Sequence, residues 1–246
     1  MSRKVHRDNA KTRRDKLRSE ETILLTEVAE AGRADDQRAA AAGVVVGNLP
    51  GGELEELRRL ICARVCGFDI QKQPLEARKR LAYVPDYPFL YDKLTAWEFF
   101  RFIGQLFHLE AEHIEKNAQE LVARFHLTEF ADRSLEGLSH GTRQRVAIVS
   151  ALLHDPEVFV IDEPMVGLDP QHTRIVKDVL KERSLAGMTV LVSTHQLSIA
   201  EEMADRIGIM NGGKLIAVGT RDELRNRTGG SGQLEEIFLS LTAAAK

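Results

Sequence analysis

Two adjacent carboxylates, Asp162 and Glu163, close the apolar run Val158-Phe159-Val160-Ile161, and Pro164 follows them. A run of that length reads as a strand, and a strand that ends in acidic side chains delivers them to the carboxyl edge of a sheet, where ligands of open α/β sheets sit. In a nucleotide-hydrolysing site the first carboxylate holds magnesium through water, and the second polarises the attacking water as a general base. The same residues also read as a buried strand ending in a solvated acidic turn.

Three further segments carry polar groups at positions where chemistry needs them. Ser139 and Gly141 open an apolar helix pattern, Val146, Ile148, Val149, Leu152 and Leu153. A helix start exposes backbone N–H groups to an anion, and the helix dipole favours that anion by about 0.3 to 1 kcal/mol. Ser139 equally reads as an N-cap and nothing more. Gly167-Leu168-Asp169-Pro170 follows the acidic strand end as a turn. Val190-Leu191-Val192-Ser193-Thr194-His195 is a second apolar strand that delivers an imidazole, able to hydrogen-bond a terminal phosphate oxygen or simply to satisfy the fold.

The elements that must hold these groups alternate, strand and helix, from Phe68 onward, as in an α/β domain. Every Phe, Tyr and Trp lies at or after Phe68. Before it, residues 1–42 mix Arg, Asp, Glu and Ala with one apolar patch at Ile23, Leu24 and Leu25, and read as a polar arm. Gly43 to Gly47 reads as a short buried strand, with a turn at Pro50, Gly51 and Gly52. From about Thr95 to Gly137 the pattern is helical, with Trp97, Phe99, Phe100, Phe102, Ile103, Leu106 and Phe107 as a broad apolar stripe that defaults to core. The 246 residues, 43% of them hydrophobic, suffice for one sizeable core or two small ones and exclude collagen, coiled coil and wholesale disorder. A formal net charge of −3 gives no global field for nucleic acid. No apolar run approaches the roughly 18 residues of a spanning helix, which points to a cytoplasmic chain. Cys62 and Cys66 lie one helical turn apart in spacing and read as reduced structural thiols without the ligands of a zinc site.

Taken together, in this order and spacing, the four segments resemble the ATP-binding cassette ATPases, the nucleotide-binding subunits of ABC transporters. The run from Leu138 to Arg145 looks like that family's signature motif, Val158 to Pro164 like its Walker B strand with the catalytic glutamate, Gly167 to Pro170 like its D-loop, and Ser193 to His195 like its switch histidine. The resemblance runs from about Arg64 to the C-terminus and includes a hairpin over 207–219 turned at Asn211, Gly212 and Gly213, and a closing helix around 234–241. It implies ATP and Mg2+ as cofactors. Asp162 would support magnesium, Glu163 orient water, His195 contact the γ-phosphate and Asp169 cross to a second subunit, while Ser139 and Gly141 bind the γ-phosphate of the partner's ATP. The implied partners are a second cassette and membrane permease subunits, with the chain peripheral to the inner face of the membrane. The aromatics Tyr87, Phe89 and Tyr91 fall where this family docks the coupling helices of its permease, and they also read as ordinary packing.

Departures from the pattern bear on activity. His140 replaces the first signature glycine and Thr142 the glutamine, and Asp86 replaces the Q-loop glutamine, so a group that accepts but, when ionised, donates nothing stands beside the metal. The glycine-rich loop G-x-x-x-x-G-K-S/T, expected near 41–46, is not recognisable, and no lysine lies between Lys16 and Lys72. Charge-assisted hydrogen bonds contribute about 1.5 to 3 kcal/mol each, so losing three or four forfeits about 5 to 10 kcal/mol. An affinity of about 0.1 mM is worth only about 5.5 kcal/mol. The chain alone is therefore expected to bind nucleotide poorly.

The expected fold is an α/β, P-loop NTPase-like sheet core with a helical subdomain at about 95–150 and the N-terminal portion of the core missing or replaced. Residues 64–246 form the ATPase domain, and 1–63 an atypical segment. Three accounts stand side by side: a transporter ATPase whose N-terminus is wrong-frame or rearranged, a degenerate cassette that completes a partner's ATP site in trans, and a soluble cassette protein acting outside transport. A single cassette without a basic stripe counts against the third.

Overall fold

Parallel strands need both faces covered, so they read as unbroken apolar runs, and the helices between them supply the cover. In the computed structural model the described residues are 43–46, 64–212, 214–228 and 233–244. The polar arm, the patch at Ile23 to Leu25, the turn at Pro50 to Gly52, Cys62 and Gly213 lie outside them. Contacts divide the chain into two compact units: one contains residues 64–192, the other 43–46 together with 193 onward. The first strand among the described residues, β1 (Gly43–Val46), belongs to the latter unit.

The 64–192 unit opens with a hairpin of β2 (Arg64–Val65) and β3 (Phe68–Asp69). Its turn is Cys66-Gly67, both with positive φ (50° and 84°). Helical spacing to Cys62 therefore does not describe Cys66, which sits at a tight reversal. The short α1 (Pro74–Lys79) leads into β4 (Leu81–Val84), and β4 pairs in parallel with β5 (Val158–Asp162), Leu81 opposite Val158 and Val84 opposite Ile161. The next neighbour of β5 is β6 (Thr189–Ser193). The three begin side by side, because Val158 N–H donates to the Arg80 carbonyl and Thr189 N–H to the Glu157 carbonyl, each at 2.9 Å. Their carboxyl ends thus share one edge. Phe159, Val160, Ile161, Val190, Leu191 and Val192 are all buried, the double-sided burial of a parallel core.

Between β4 and β5 lie α2 (Ala96–Leu106), α3 (Ala111–Arg124) and α4 (His140–Leu152). A capping box starts α2: Thr95 Oγ1 accepts from Glu98 N–H, and the Glu98 carboxylate accepts from Thr95 N–H. Its stripe is buried at Phe99 and Phe100 but turns outward at Leu106, which is 59% exposed. Helix α3 buries Ile114, Ala118, Leu121 and Val122, and the Ile114 side chain fills the space a Cβ on Gly104 would need, so glycine sets how closely α2 and α3 approach. All five apolar positions of the α4 pattern are buried. After β5, α5 (Pro170–Leu185) returns the chain to β6.

In the other unit, β1 runs parallel to β7 (Arg206–Asn211), Gly43 opposite Arg206 and Val46 opposite Ile209. The antiparallel hairpin of β7 with β8 (Lys214–Gly219) is closed by a turn in which Gly212 takes φ 56°. Helices α6 (Leu197–Met203), α7 (Arg221–Thr228) and α8 (Leu234–Ala244) complete it. Among the described residues no helix is long and apolar enough to cross a membrane.

Candidate functional site

The apolar register of β5 against β4 carries Asp162 one residue past the Val84–Ile161 pair, to the carboxyl edge. Asp162 is half-buried there and Glu163 is 4% exposed. Glu163 takes φ 44°, a left-handed conformation that a non-glycine residue adopts at a cost of about 1 to 3 kcal/mol and only where its surroundings impose it. Such strain concentrates at sites where a side chain must be aimed. Asp86, exposed, follows β4 by two residues. It and Asp162 both act on Tyr83: burial first, then the charges of Asp162 and Asp86, hold that phenol above its ordinary pKa. Both carboxylates therefore lie within electrostatic reach of the Tyr83 phenol, a group that sequence reasoning passed over. Carboxylate oxygens are the hard donors that magnesium takes.

Helix α4 begins at the second group. Ser139 is its N-cap, the side chain accepting from Thr142 N–H at 3.3 Å and lying 2.9 Å from Thr142 Oγ1. Ser139 is exposed, and helix geometry leaves the amides of His140 and Gly141 with no carbonyl a turn behind them. An anion-binding helix start and an N-cap are therefore the same residues here. Gly141 answers to a packing demand as well: a Cβ on it would overlap the Gly167 carbonyl oxygen, so the loop after β5 rests directly on the first turn of α4. That loop is itself bonded, Val166 N–H to the Glu163 carbonyl at 3.2 Å and Leu168 N–H to the Met165 carbonyl at 3.3 Å. It ends in Asp169, exposed, which caps α5 by accepting from His172 N–H at 2.9 Å and meets the His172 ring at 2.7 Å. Those bonds hold the Asp169 carboxyl below the ordinary aspartate range. One loop therefore joins Glu163 to Asp169, and Gly167 within it touches Gly141.

Arg145 anchors this helix start from beneath. Its guanidinium donates to the Phe125 carbonyl at 2.6 Å, the His126 carbonyl at 3.1 Å and Thr142 Oγ1 at 3.2 Å. Burial lowers its pKa and the charge of Asp169 partly offsets that. Arg143 reaches outward instead, to Asp92 and the Leu135 carbonyl, each at 2.7 Å. Arg145 stands three and four residues before Ile148 and Val149, on the apolar face of α4, and that placement was the signal for a buried anchor. His195 stands two residues beyond β6, just before α6; it belongs to the unit that contains residues 193 onward, and Asp162, Glu163, Ser139, Gly141, Asp86 and Asp169 to the other.

Above β4, the loop Pro85 to Tyr91 exposes Tyr87, Phe89 (88%) and Tyr91. Phe89, Pro88 and Leu90 line a cleft of about 230 Å³ with Phe99, Ile103 and Phe107.

Residues 60–166 match the ABC transporter family. The linearmycin resistance ATP-binding protein LnrL of Bacillus subtilis (strain 168) is 37% identical over 166 residues, 68% of this chain and 53% of that protein. The ABC transporter ATP-binding protein NatA of the same organism is 32% identical over 177 residues, 72% of each chain. The solved structure of an ATP-binding subunit of an ABC transporter superposes with a TM-score of 0.75 at 28% identity, covering 83% of this chain and 89% of that one. The chain spans about half the length of LnrL and of the daunorubicin resistance protein DrrA3 of Streptomyces coeruleorubidus. Identity of 32% sustained over 72% of both chains cannot come from a shared fold alone, and the chain belongs to the ATP-binding proteins of ABC transporters.

Proposed function

We propose that residues 64–246 are the ATPase domain of the ATP-binding and ATP-hydrolysing subunit of an export-type ABC transporter, which hydrolyses ATP once an N-terminal phosphate loop stands in place of 1–63 and works as one of a pair of cassettes on the cytoplasmic face of a separate membrane permease. The observation that carries the reading is Glu163, buried and held in a left-handed conformation at the carboxyl end of β5 directly after Asp162. In this reading Asp162, with Asp86 nearby, holds magnesium, which supplies charge neutralisation to the terminal phosphates. Glu163 orients and deprotonates water. His195 contacts a γ-phosphate. Ser139 and Gly141 present α4's start to the nucleotide of the second cassette, and Asp169 crosses to that cassette; a pair is therefore required. The domain assignment is 64–246 for the ATPase, with the helical subdomain at about 95–150 that contains α2 to α4 and the atypical segment at 1–63. The cleft beside Phe89 and the exposed loop aromatics support docking of the permease, and the resistance proteins among the relatives support export.

A second reading is favoured by one fact, the lack of any lysine between Lys16 and Lys72. In it the chain is a cassette without its own phosphate loop that completes the ATP site of a competent partner in trans. One experiment separates the two. Replace residues 1–63 by the corresponding N-terminal part of NatA, and measure ATP binding and turnover before and after Glu163→Gln. The exchange should confer hydrolysis, and Glu163→Gln should abolish turnover while leaving binding; unchanged turnover would remove Glu163 as the base.

A further inference from the structure

Among the described residues, His140 and Gln144 carry buried polar side-chain atoms with no hydrogen-bond partner. For His140 the surroundings say what the ring does. Tyr87 stacks on it, ring centroids 5.9 Å apart and planes 26° from parallel. The ring also meets the turn after β5: Cδ2 lies so close to Gly167 that a Cβ there would overlap it. With Nε2 buried and unpartnered, the ring is held at that atom by shape and not by a hydrogen bond. Tyr87 and Gly167 are exposed and His140 half-buried, so any link between them runs through the direct contacts of the His140 ring and not through a packed interior. Gly167, at φ 74°, leads to Leu168 and then to the cap residue Asp169.

We propose that His140 is a positioning residue that ties the Pro85–Tyr91 loop to the Gly167-Leu168-Asp169 turn, its ring acting as a spacer between Tyr87 and Gly167. The backbone contact of Gly141 with the Gly167 carbonyl seats the turn, and the His140 ring sets its position against the loop. Moving Tyr87 therefore releases the turn that presents Asp169. The consequence for transport rests on the docking reading given above, since it is the loop proposed to receive the permease that moves. The link itself belongs to the chain alone.

Amide hydrogen exchange of the full chain tests it. The amides of Val166 and Leu168 are bonded within the loop and report its opening. Tyr87→Ala should accelerate their exchange about five-fold, while Tyr87→Phe, which keeps the ring, restores the native rate. Tyr91→Ala, whose ring packs on Phe99 and Phe102, should leave them unchanged. In a His140→Gly background, Tyr87→Ala should add nothing, because the spacer is already gone. Equal acceleration with and without His140, no acceleration in the single variant, or a response to Tyr91→Ala as large as to Tyr87→Ala overturns the proposal. If Tyr87→Ala fails to fold, Tyr87→Leu serves in the same comparison. A permease found to dock elsewhere would refute the docking reading and leave this exchange pattern intact.

Discussion

Gln144, 0% exposed, buries both polar atoms of its amide without a partner among the described residues. Each desolvated, unpaired group costs about 1 to 3 kcal/mol, whereas an apolar side chain of similar shape carries no such cost. Gln144→Leu should therefore raise stability by about 1 kcal/mol or more, read as a higher urea midpoint at unchanged m-value. Arg145, one residue on, behaves oppositely, because its removal strands the Phe125 and His126 carbonyls that it bonds. Arg145→Met should lower stability by about 3 kcal/mol in the same titration. Cys66 is a third case. Burial first, then the hydrogen bond and charge of Glu157, push its thiol up to about 11. At pH 8 its thiolate fraction is then roughly 100-fold below that of an ordinary cysteine, so in a Cys62→Ser chain iodoacetamide should label it at least that much more slowly than after unfolding.

At the scale of elements, the caps decide where helices begin. Thr95 closes a reciprocal box with Glu98 at the start of α2, and Thr95→Ala should cost about 1 kcal/mol of unfolding free energy. The start of α5 is tied to pH through Asp169, whose carboxyl is held below its ordinary pKa by the His172 N–H and ring. A carboxyl depressed in the folded state contributes stability that is present above its unfolded pKa and lost as pH falls through the lowered folded value. The Asp169 carboxyl resonance should therefore titrate below that of an unfolded-chain aspartate, and in His172→Ala, which keeps the backbone N–H and removes the ring, the difference should shrink without vanishing.

For the whole molecule, the question is whether nucleotide binds at all. Ligand that binds only the folded state stabilises it by RT ln(1 + [L]/Kd), about 1.4 kcal/mol for 1 mM ATP at an affinity of about 0.1 mM. The chain as it stands should show no shift of its melting temperature with 1 mM Mg-ATP. The chain carrying the N-terminal part of NatA should show a clear one. A shift in the unmodified chain would mean that another loop carries the phosphate.

The run Val158 to Ile161 and the five apolar positions of α4 were legible in the sequence, because burial on a strand or one face of a helix imposes a period that composition records. The order of the motifs and the hairpin around Gly212 were read from the resemblance to the family and not from a hydrophobic period. Spacing failed at Cys66, where a reversal through two positive φ angles replaced the helical turn. It could not reach the left-handed backbone of Glu163, the Tyr83 ring acted on by Asp86 and Asp162, or the contact of Gly141 with Gly167. Those are relations between residues far apart in the chain or conformations imposed from outside a segment. Only the packing of β4, β5, α4 and the loop to α5 decides them.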